Sequence, residues 1–492
     1  MKNFRFKDKK VAVLGLGIEG VALSAFLVNK CESVTLLDQK EEDDLRKNQD
    51  LPGISEILDN PTFSKIFGKE YLFNLKRFDV IFRSPGIPYL SPEIQEAKAN
   101  GVEISSQIKL FFELCPASII GVTGTKGKGT TASLIYDILK KKTPKESLWD
   151  QKSGNINKVF FAGNIGHPAI SLIDEISEVD TAILELSSFQ LQDLNLSPHI
   201  AVITNISIDH LDYHKDENEY HEAKESIVKF QNKNDFAVIN QDYLTSFEFA
   251  SLTSGKTYYF SGENSVDEGA FIRKLQNPNA KLRTKEDQND VYEVVLRIDD
   301  KEEIICGSDE IKLVGRHNLE NVAAASITSM LAGASIDEIR DGVKNFDPLP
   351  HRLEFVREIN GVKIYNDSFA TNPDPTMAAI NSFSSEKILI LGGSSKGANF
   401  DELAEKIVHG NVAGVVLIGD EAKKIKNSLE KYNFPGEIVC ANHDFKKAIF
   451  ESLRIAKPGS IIIFSPACAS FDMFKNYKDR GNKFKEMIAQ AK

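Results

Sequence analysis

The run Gly121-Val122-Thr123-Gly124-Thr125-Lys126-Gly127-Lys128-Gly129-Thr130-Thr131 follows an apolar pair, Ile119-Ile120, and leads into a helix-forming sequence. A strand that hands a glycine-rich turn to a helix lets successive backbone N–H groups wrap a polyphosphate, and Lys128 offsets part of its charge. Five residues rather than four separate Gly121 from the Gly127-Lys128 pair, and Gly129 stands where a Ser or Thr hydroxyl normally holds Mg²⁺. A flexible turn with no ligand is the plain alternative.

Two later segments bring oxygen and nitrogen donors to strand ends. Glu185-Leu186-Ser187-Ser188-Phe189-Gln190 closes one apolar run, and the segment from Asn205 to His214, with Asp209, His210 and Asp212, closes another. Mg²⁺ is a hard ion that prefers oxygen. Alone, such an acidic loop is more often a helix cap or a solvated turn; beside a phosphate loop it reads as metal-binding.

A second glycine turn, Gly15-x-Gly17-x-x-Gly20, also lies between a strand and a helix, with Asp38 at the end of the next strand. Its backbone amides can meet a diphosphate at a helix N-terminus. A dinucleotide, a UDP-type nucleotide and a mere packing turn all fit, so the motif leaves the ligand open. Ser84-Pro85-Gly86 is a second lip for the same crevice. Towards the C-terminus stand His351-Arg352, Asn366-Asp367-Ser368, Lys396 after Gly392-Gly393, and Ser465 to Ser470. Arg352 can clamp phosphate and Lys396 or Ser470 can hold a carboxylate; taken singly, each is also an ordinary surface residue or cap.

These groups need elements to position them. Short β-branched runs alternate with helical patterns in three stretches, which predicts an α/β fold of mainly parallel sheets covered by helices. Ligands of such sheets gather outside the carboxyl ends of the strands, and the runs here end in Gly, Ser, Asp or Asn. Boundaries are expected near Pro116 and near Asp347-Pro348-Leu349-Pro350, giving units of 1–116, 117–347 and 348–492. The polar stretches 141–158 and 261–309 are expected to be surface insertions. A chain of 492 residues fits about three units, which excludes a single small binding module. With 60 Lys+Arg against 71 Asp+Glu, the net charge of -11 has the wrong sign for a protein that binds mainly nucleic-acid phosphates. Five scattered cysteines without a C-x-x-C pair point to a reduced, cytoplasmic chain. No apolar window approaches the roughly 20 residues of a membrane span.

Taken together, TGTKGKGTT, ELSSFQL, NISIDHLDYH with Tyr220-x-x-Ala223-Lys224, GRHNLEN, PHR, NDSFATN, LGGSSKG and SPACASFDMFKNYKDRGNKF resemble the Mur ligases. The likeness touches all three units, and its order is closest to the branch that adds D-glutamate to UDP-N-acetylmuramoyl-L-alanine. It implies a Rossmann-like N-terminal domain for the UDP substrate, a central P-loop ATPase, and a Rossmann-like C-terminal domain for the amino acid. It implies ligase chemistry through an acyl phosphate in peptidoglycan synthesis, and so a part in cell-wall biogenesis, shape and division. By motif position, Gly124, Thr125, Lys126, Gly127, Lys128, Gly129, Thr130 and Thr131 would bind ATP, with Asn321, Arg352 and Asp367 reaching the rest of the nucleotide. Gly15, Gly17, Gly20, Asp38, Ser84, Gly86, Asn164 and Ser187 would face the UDP substrate. Glu185, His210 and a carbamylated Lys224 would hold two Mg²⁺ ions, with Thr130 a further donor. Lys128, His210 and Lys224 would be the catalytic residues, and Thr371, Lys396 and Ser470 would grip glutamate. A monomer acting on small molecules, without nucleic acid or membrane insertion, is expected.

Three positions depart from the family pattern: Gly129 lacks a hydroxyl, Phe369 replaces a common Lys, and Glu19 replaces a common Thr in the UDP-facing turn. They leave a ligase for L-glutamate or another amino acid open. A folylpolyglutamate-synthase-like ligase would lack the N-terminal nucleotide unit, and a nicotinamide dehydrogenase would leave the second phosphate loop unexplained. A decayed, UDP-sugar-binding relative would not be expected to keep Lys128, Glu185, His210 and Lys224 together.

Overall fold

A computed structural model describes residues 4–48, 50–141, 157–165, 167–207, 213–275, 291–395 and 397–491. Among them three sheets form, in the α/β arrangement expected. By internal contacts the chain divides into two compact units. The first comprises Met1–Lys274, Tyr292–Ser308 and Glu320–Lys344; the second comprises Leu275–Val291, Asp309–Leu319 and Asn345–Lys492.

The first unit contains two sheets. Strands β1 (Lys10–Leu14), β2 (Ser33–Asp38), β3 (Phe63–Phe67), β4 (Val80–Arg83) and β5 (Glu103–Ser105) form an all-parallel sheet in the order β3-β2-β1-β4-β5. The order reverses direction at β1, so the turns after β1 and β4 open side by side, as expected of a ligand crevice. Val11 to Leu14 are wholly buried, which explains a continuous apolar run rather than an alternating one.

The second sheet has nine strands: β6 (Ser118–Thr123), β7 (Val159–Gly163), β8 (Thr181–Glu185), β9 (Ile200–Ile203), β10 (Phe236–Asn240), β11 (Lys256–Ser261), β12 (Gly269–Lys274), β13 (Tyr292–Ile298) and β14 (Lys301–Gly307). Their order is β14-β13-β12-β11-β10-β9-β6-β8-β7. Strand β6 lies between β9 and β8, so the phosphate loop, Glu185 and Asn205 leave neighbouring strand ends. The described part of 261–309, expected to be a surface insertion, supplies β12 to β14. Pairing is antiparallel from β12 to β14, and Phe271, Val294, Val295, Leu296, Ile305 and Cys306 are buried. Residues 142–156, most of the other expected insertion, lie outside the described residues.

The second unit has a six-stranded sheet of β15 (Glu354–Ile359), β16 (Val362–Asn366), β17 (Lys387–Gly392), β18 (Val412–Ile418), β19 (Glu437–Asn442) and β20 (Ile461–Phe464). Its order is β15-β16-β20-β17-β18-β19, parallel except for the β15/β16 hairpin. The carboxyl ends of β16, β20 and β17 are therefore adjacent, and they lead to Asp367, Ser470 and Ser394. No helix among the described residues is long and apolar enough to cross a membrane.

Candidate active site

The turn after β6 is held open by its surroundings. Gly127 caps the helix Lys128–Lys140 at φ +86°, and a Cβ there would lie 2.4 Å from Oδ1 of Asn321. Only glycine meets both conditions without strain. Thr131 Oγ1 donates to the same Asn321 oxygen at 3.2 Å, so this amide oxygen faces the loop. Asn205 fixes the other flank: its backbone oxygen accepts from Thr125 N–H at 2.6 Å and its Oδ1 accepts from Lys126 N–H at 2.9 Å. Lys128 Nζ folds back to donate to the carbonyls of Gly124 (2.8 Å) and Thr125 (3.0 Å). It thus rests against the carbonyls of its own loop. Gly129, Thr130 and Thr131 are buried in the first turn of the helix.

Glu185 ends β8 beside Val122 and is 3% exposed. Its Oε1 accepts from Asn164 Nδ2 at 3.0 Å, while its buried Oε2 has no hydrogen-bond partner among the described residues. A buried carboxylate oxygen without a donor is unfavourable. A hard cation would satisfy it, so the donor fits Mg²⁺. Lys224, on the helix Glu217–Lys229, is 1% exposed, with Nζ 3.3 Å from the Gly124 carbonyl and 4.8 Å from the ring centre of Tyr220. His210 lies outside the described residues.

A cavity of about 520 Å³ opens at the ends of β1 and β4. Gly15, Gly17, Asp38, Ser84, Gly86 and Asn164 line it; Gly20 and Ser187 do not. Gly20 serves packing, since a Cβ there would come within 2.1 Å of the Gly15 carbonyl oxygen. Asp38 organises the turn, accepting from Leu16 N–H at 2.6 Å and Lys40 N–H at 2.9 Å. Ser187 caps the helix Ser188–Leu191 in a reciprocal box with Gln190.

Sequence reasoning passed over Arg83, which ties the two sheets together at this cavity. It is 1% exposed and pairs with Asp193 at 3.2 Å. It also donates to the carbonyls of Ile87 (2.6 Å) and Phe189 (2.9 Å) and to the Tyr213 hydroxyl (2.9 Å). The cavity lip after β4 is thereby fixed to the helix that follows Glu185. The signal was an arginine ending a buried strand, but its partner lies 110 positions later.

In the second unit Asp367 is 6% exposed, accepting from Ser465 Oγ at 2.6 Å and Leu353 N–H at 3.2 Å; burial pushes its carboxyl up to about 7. Arg352 places its guanidinium 3.9 Å from the ring centre of Phe369, which meets Tyr477 edge-on at 5.0 Å. Phe369 thus presents an aromatic face on which the Arg352 cation stacks. Ser470 is 2% exposed and Thr371 half-buried, while Lys396 lies outside the described residues. Arg480, also passed over, is fully buried. It donates to the carbonyls of Cys468, Ala469 and Ser368 and to Ser368 Oγ, joining the loops after β16 and β20.

The comparisons with known proteins agree along the whole chain. Family profiles match it at residues 9–106 (Mur ligase MurD-like, N-terminal domain), 122–329 (Mur ligase middle domain) and 351–468 (Mur ligase, glutamate ligase domain). The UDP-N-acetylmuramoylalanine–D-glutamate ligase of Acetivibrio thermocellus is 39% identical over 489 residues, 98% of this chain and 97% of that one. Its counterpart in Clostridium tetani is 38% identical over 490 residues, 98% and 96% of the two chains. Among solved structures, the UDP-N-acetylmuramate-alanine ligase MurC of Thermotoga maritima has a TM-score of 0.57 at 16% identity, covering 98% of this chain and 100% of that one. MurF of Acinetobacter baumannii has a TM-score of 0.58 at 14% identity, covering 99% and 92%. At such identities these structures speak for the fold alone. The relatives and the profiles carry the assignment: this chain belongs to the Mur ligase family, on its MurD-like branch.

Proposed function

We propose that this chain is an ATP-dependent ligase that joins D-glutamate to UDP-N-acetylmuramoyl-L-alanine, a step of peptidoglycan precursor synthesis. The end-to-end likeness to relatives named for that reaction carries the reading. In it, residues 1–116 hold the UDP substrate, 117–347 bind ATP, and 348–492 bind the amino acid. The enzyme acts as a cytoplasmic monomer.

The alanine carboxylate attacks the γ-phosphorus of ATP, giving an acyl phosphate and ADP. The amine of glutamate then attacks the activated carbonyl, and phosphate leaves as the amide forms. The first step brings an anion to an anion, so its barrier is largely electrostatic. Lys128 exchanges the carbonyls of Gly124 and Thr125 for phosphate oxygens, and the loop from Gly124 to Thr131, whose Thr125 and Lys126 N–H groups donate to Asn205, holds the rest of the triphosphate. Arg352, Asp367 and Asn321 position the nucleotide. Glu185, His210 and a carbamylated Lys224, with Thr130 as a further donor, would hold two Mg²⁺ ions, which would supply charge neutralisation to the triphosphate. The cavity residues Gly15, Gly17, Asp38, Ser84, Gly86 and Asn164 receive the UDP-muramoyl part, supported by Gly20 and Ser187. Thr371, Lys396 and Ser470 hold the two carboxylates of glutamate.

Competition among D-glutamate, L-glutamate and other amino acids, read by mass spectrometry of the UDP product, tests reaction and specificity together. The expected product carries D-glutamate, with ADP release that requires both co-substrates. No ADP with all substrates and Mg²⁺ present would end the ligase reading. Preferential incorporation of another amino acid would keep the ligase and replace D-glutamate.

A further inference from the structure

The turn after β1 carries a charge that a diphosphate would find repulsive. Glu19 is the second residue of the helix Ile18–Leu27, at the end where free N–H groups and the helix dipole favour an anion, and it lines the cavity. Its side chain is half-buried and turned towards the segment after β8, where Oε1 accepts from Gln190 Nε2 at 2.6 Å. The other neighbour groups are Gln107, whose side chain favours the ionised carboxyl, and the pair Arg83 and Asp193. Asp38 and Lys40 stand elsewhere on the cavity wall. Arg83, bound to Asp193 at 3.2 Å, lowers the Glu19 carboxyl, and Asp193 raises it. Burial outweighs these contacts and pushes its carboxyl up to about 7.

We propose that Glu19 makes this cavity proton-linked: a diphosphate-bearing ligand binds beside the neutral carboxyl, and a proton from solvent is taken up at Glu19 as it binds. The proposal rests on the reading of the cavity as the UDP-substrate site. A bound diphosphate adds negative charge next to Glu19, which favours its neutral form further. Affinity is therefore full below pH 7 and falls as pH rises through 7, until the liganded form also ionises. In the neutral state Glu19 keeps its acceptor oxygen for Gln190, so the contact between the turn and the segment after β8 survives protonation.

Calorimetric titration with UDP-N-acetylmuramoyl-L-alanine, whose own groups ionise outside pH 6 to 8.5, tests this in buffers of different ionisation enthalpy. The expected result is a Kd that rises about five- to tenfold between those limits, with roughly half a proton taken up near pH 7.5. Glu19→Gln should keep the low-pH affinity and lose both the slope and the proton uptake. A pH-independent Kd without proton uptake in the unaltered protein overturns the proposal and leaves the cavity assignment standing. An unchanged slope in Glu19→Gln overturns it as well. Absence of binding at every pH removes the cavity assignment and the proposal together. The uptake measured on the unaltered protein decides the matter even if the variant folds poorly.

Discussion

The chain contains two strand–turn–helix units that look alike and are built for different work. After β1 the turn runs into the helix Ile18–Leu27 through Gly17; after β6 it runs into Lys128–Lys140 through Gly127. Neither helix has a side-chain cap, so both leave N–H groups for a ligand. The first turn of one helix carries Glu19, and that of the other begins with Lys128. The first unit also has a roomy cavity and a glycine, Gly17, with nothing within 4 Å of where its Cβ would be. The second is braced by Asn205 and Asn321. Backbone geometry alone makes an anion site. A lysine, a braced loop and a neighbouring unsatisfied carboxylate make one suited to moving a phosphoryl group, because charge that develops during a reaction needs fixed partners.

The sharpest way to break this contrast is to remove the lysine. Lys128→Ala is expected to lower kcat roughly 10³-fold, in the range seen when an electrostatic stabiliser is deleted. Calorimetry should meanwhile show the Kd for the UDP substrate unchanged within about twofold. If both fall together, the two turns do not act as separate sites. Next in size is Glu185→Gln, which preserves an oxygen for Asn164 and removes the charge. We expect kcat to drop about 10²-fold with a raised Mg²⁺ requirement, and chelation of Mg²⁺ to abolish turnover in either protein. Magnesium titrations of turnover read this directly, and an unshifted Mg²⁺ dependence would take the metal away from Glu185.

Much of this was legible from residue types in order. Buried parallel strands read as unbroken apolar runs, and the residues ending them mark the sites, so the phosphate loop, Glu185 and the Ser465 to Ser470 segment could be found by eye. The hairpin β13–β14 was not. Its β14 strand opens on the exposed run Lys301-Glu302-Glu303-Ile304, so it resembles a polar insertion. The signal that could have revealed it is Asp299-Asp300, which supplies the two positive-φ residues of a tight hairpin turn. The buried arginines escaped for a different reason. Arg480 is satisfied chiefly by backbone carbonyls, which any sequence supplies, and Arg83 by groups brought together only by the fold. The orientation of Glu19 was equally hidden, because Gln190 lies 171 positions away.

Glycine substitutions probe the comparison at a smaller scale. Gly127→Ala adds a methyl at φ +86° within 2.4 Å of Asn321, and Gly20→Ala adds one within 2.1 Å of a backbone oxygen. Each is expected to lower stability by about 1–3 kcal/mol, measured by denaturant midpoints. The two should differ in what else they harm. Gly127→Ala should raise the KM for ATP and leave UDP-substrate binding alone, and Gly20→Ala should do the reverse.

Gly17→Ala should give the smallest effect and the most specific one. The site has room for a methyl, and its φ of -74° is open to any residue, so stability should fall by only about 0.5–1 kcal/mol, for the poorer helix cap. If the space around Gly17 belongs to the diphosphate, the methyl will still hold the ligand off the N–H groups and raise the Kd for the UDP substrate several-fold. If Gly17 only shapes the turn, Kd will stay where it is and only the small cap effect on stability will be seen. The pair of measurements on this one variant therefore separates a glycine kept for the ligand from one kept for the chain. Gly20, three residues on in the same turn, provides the opposite case in the same protein.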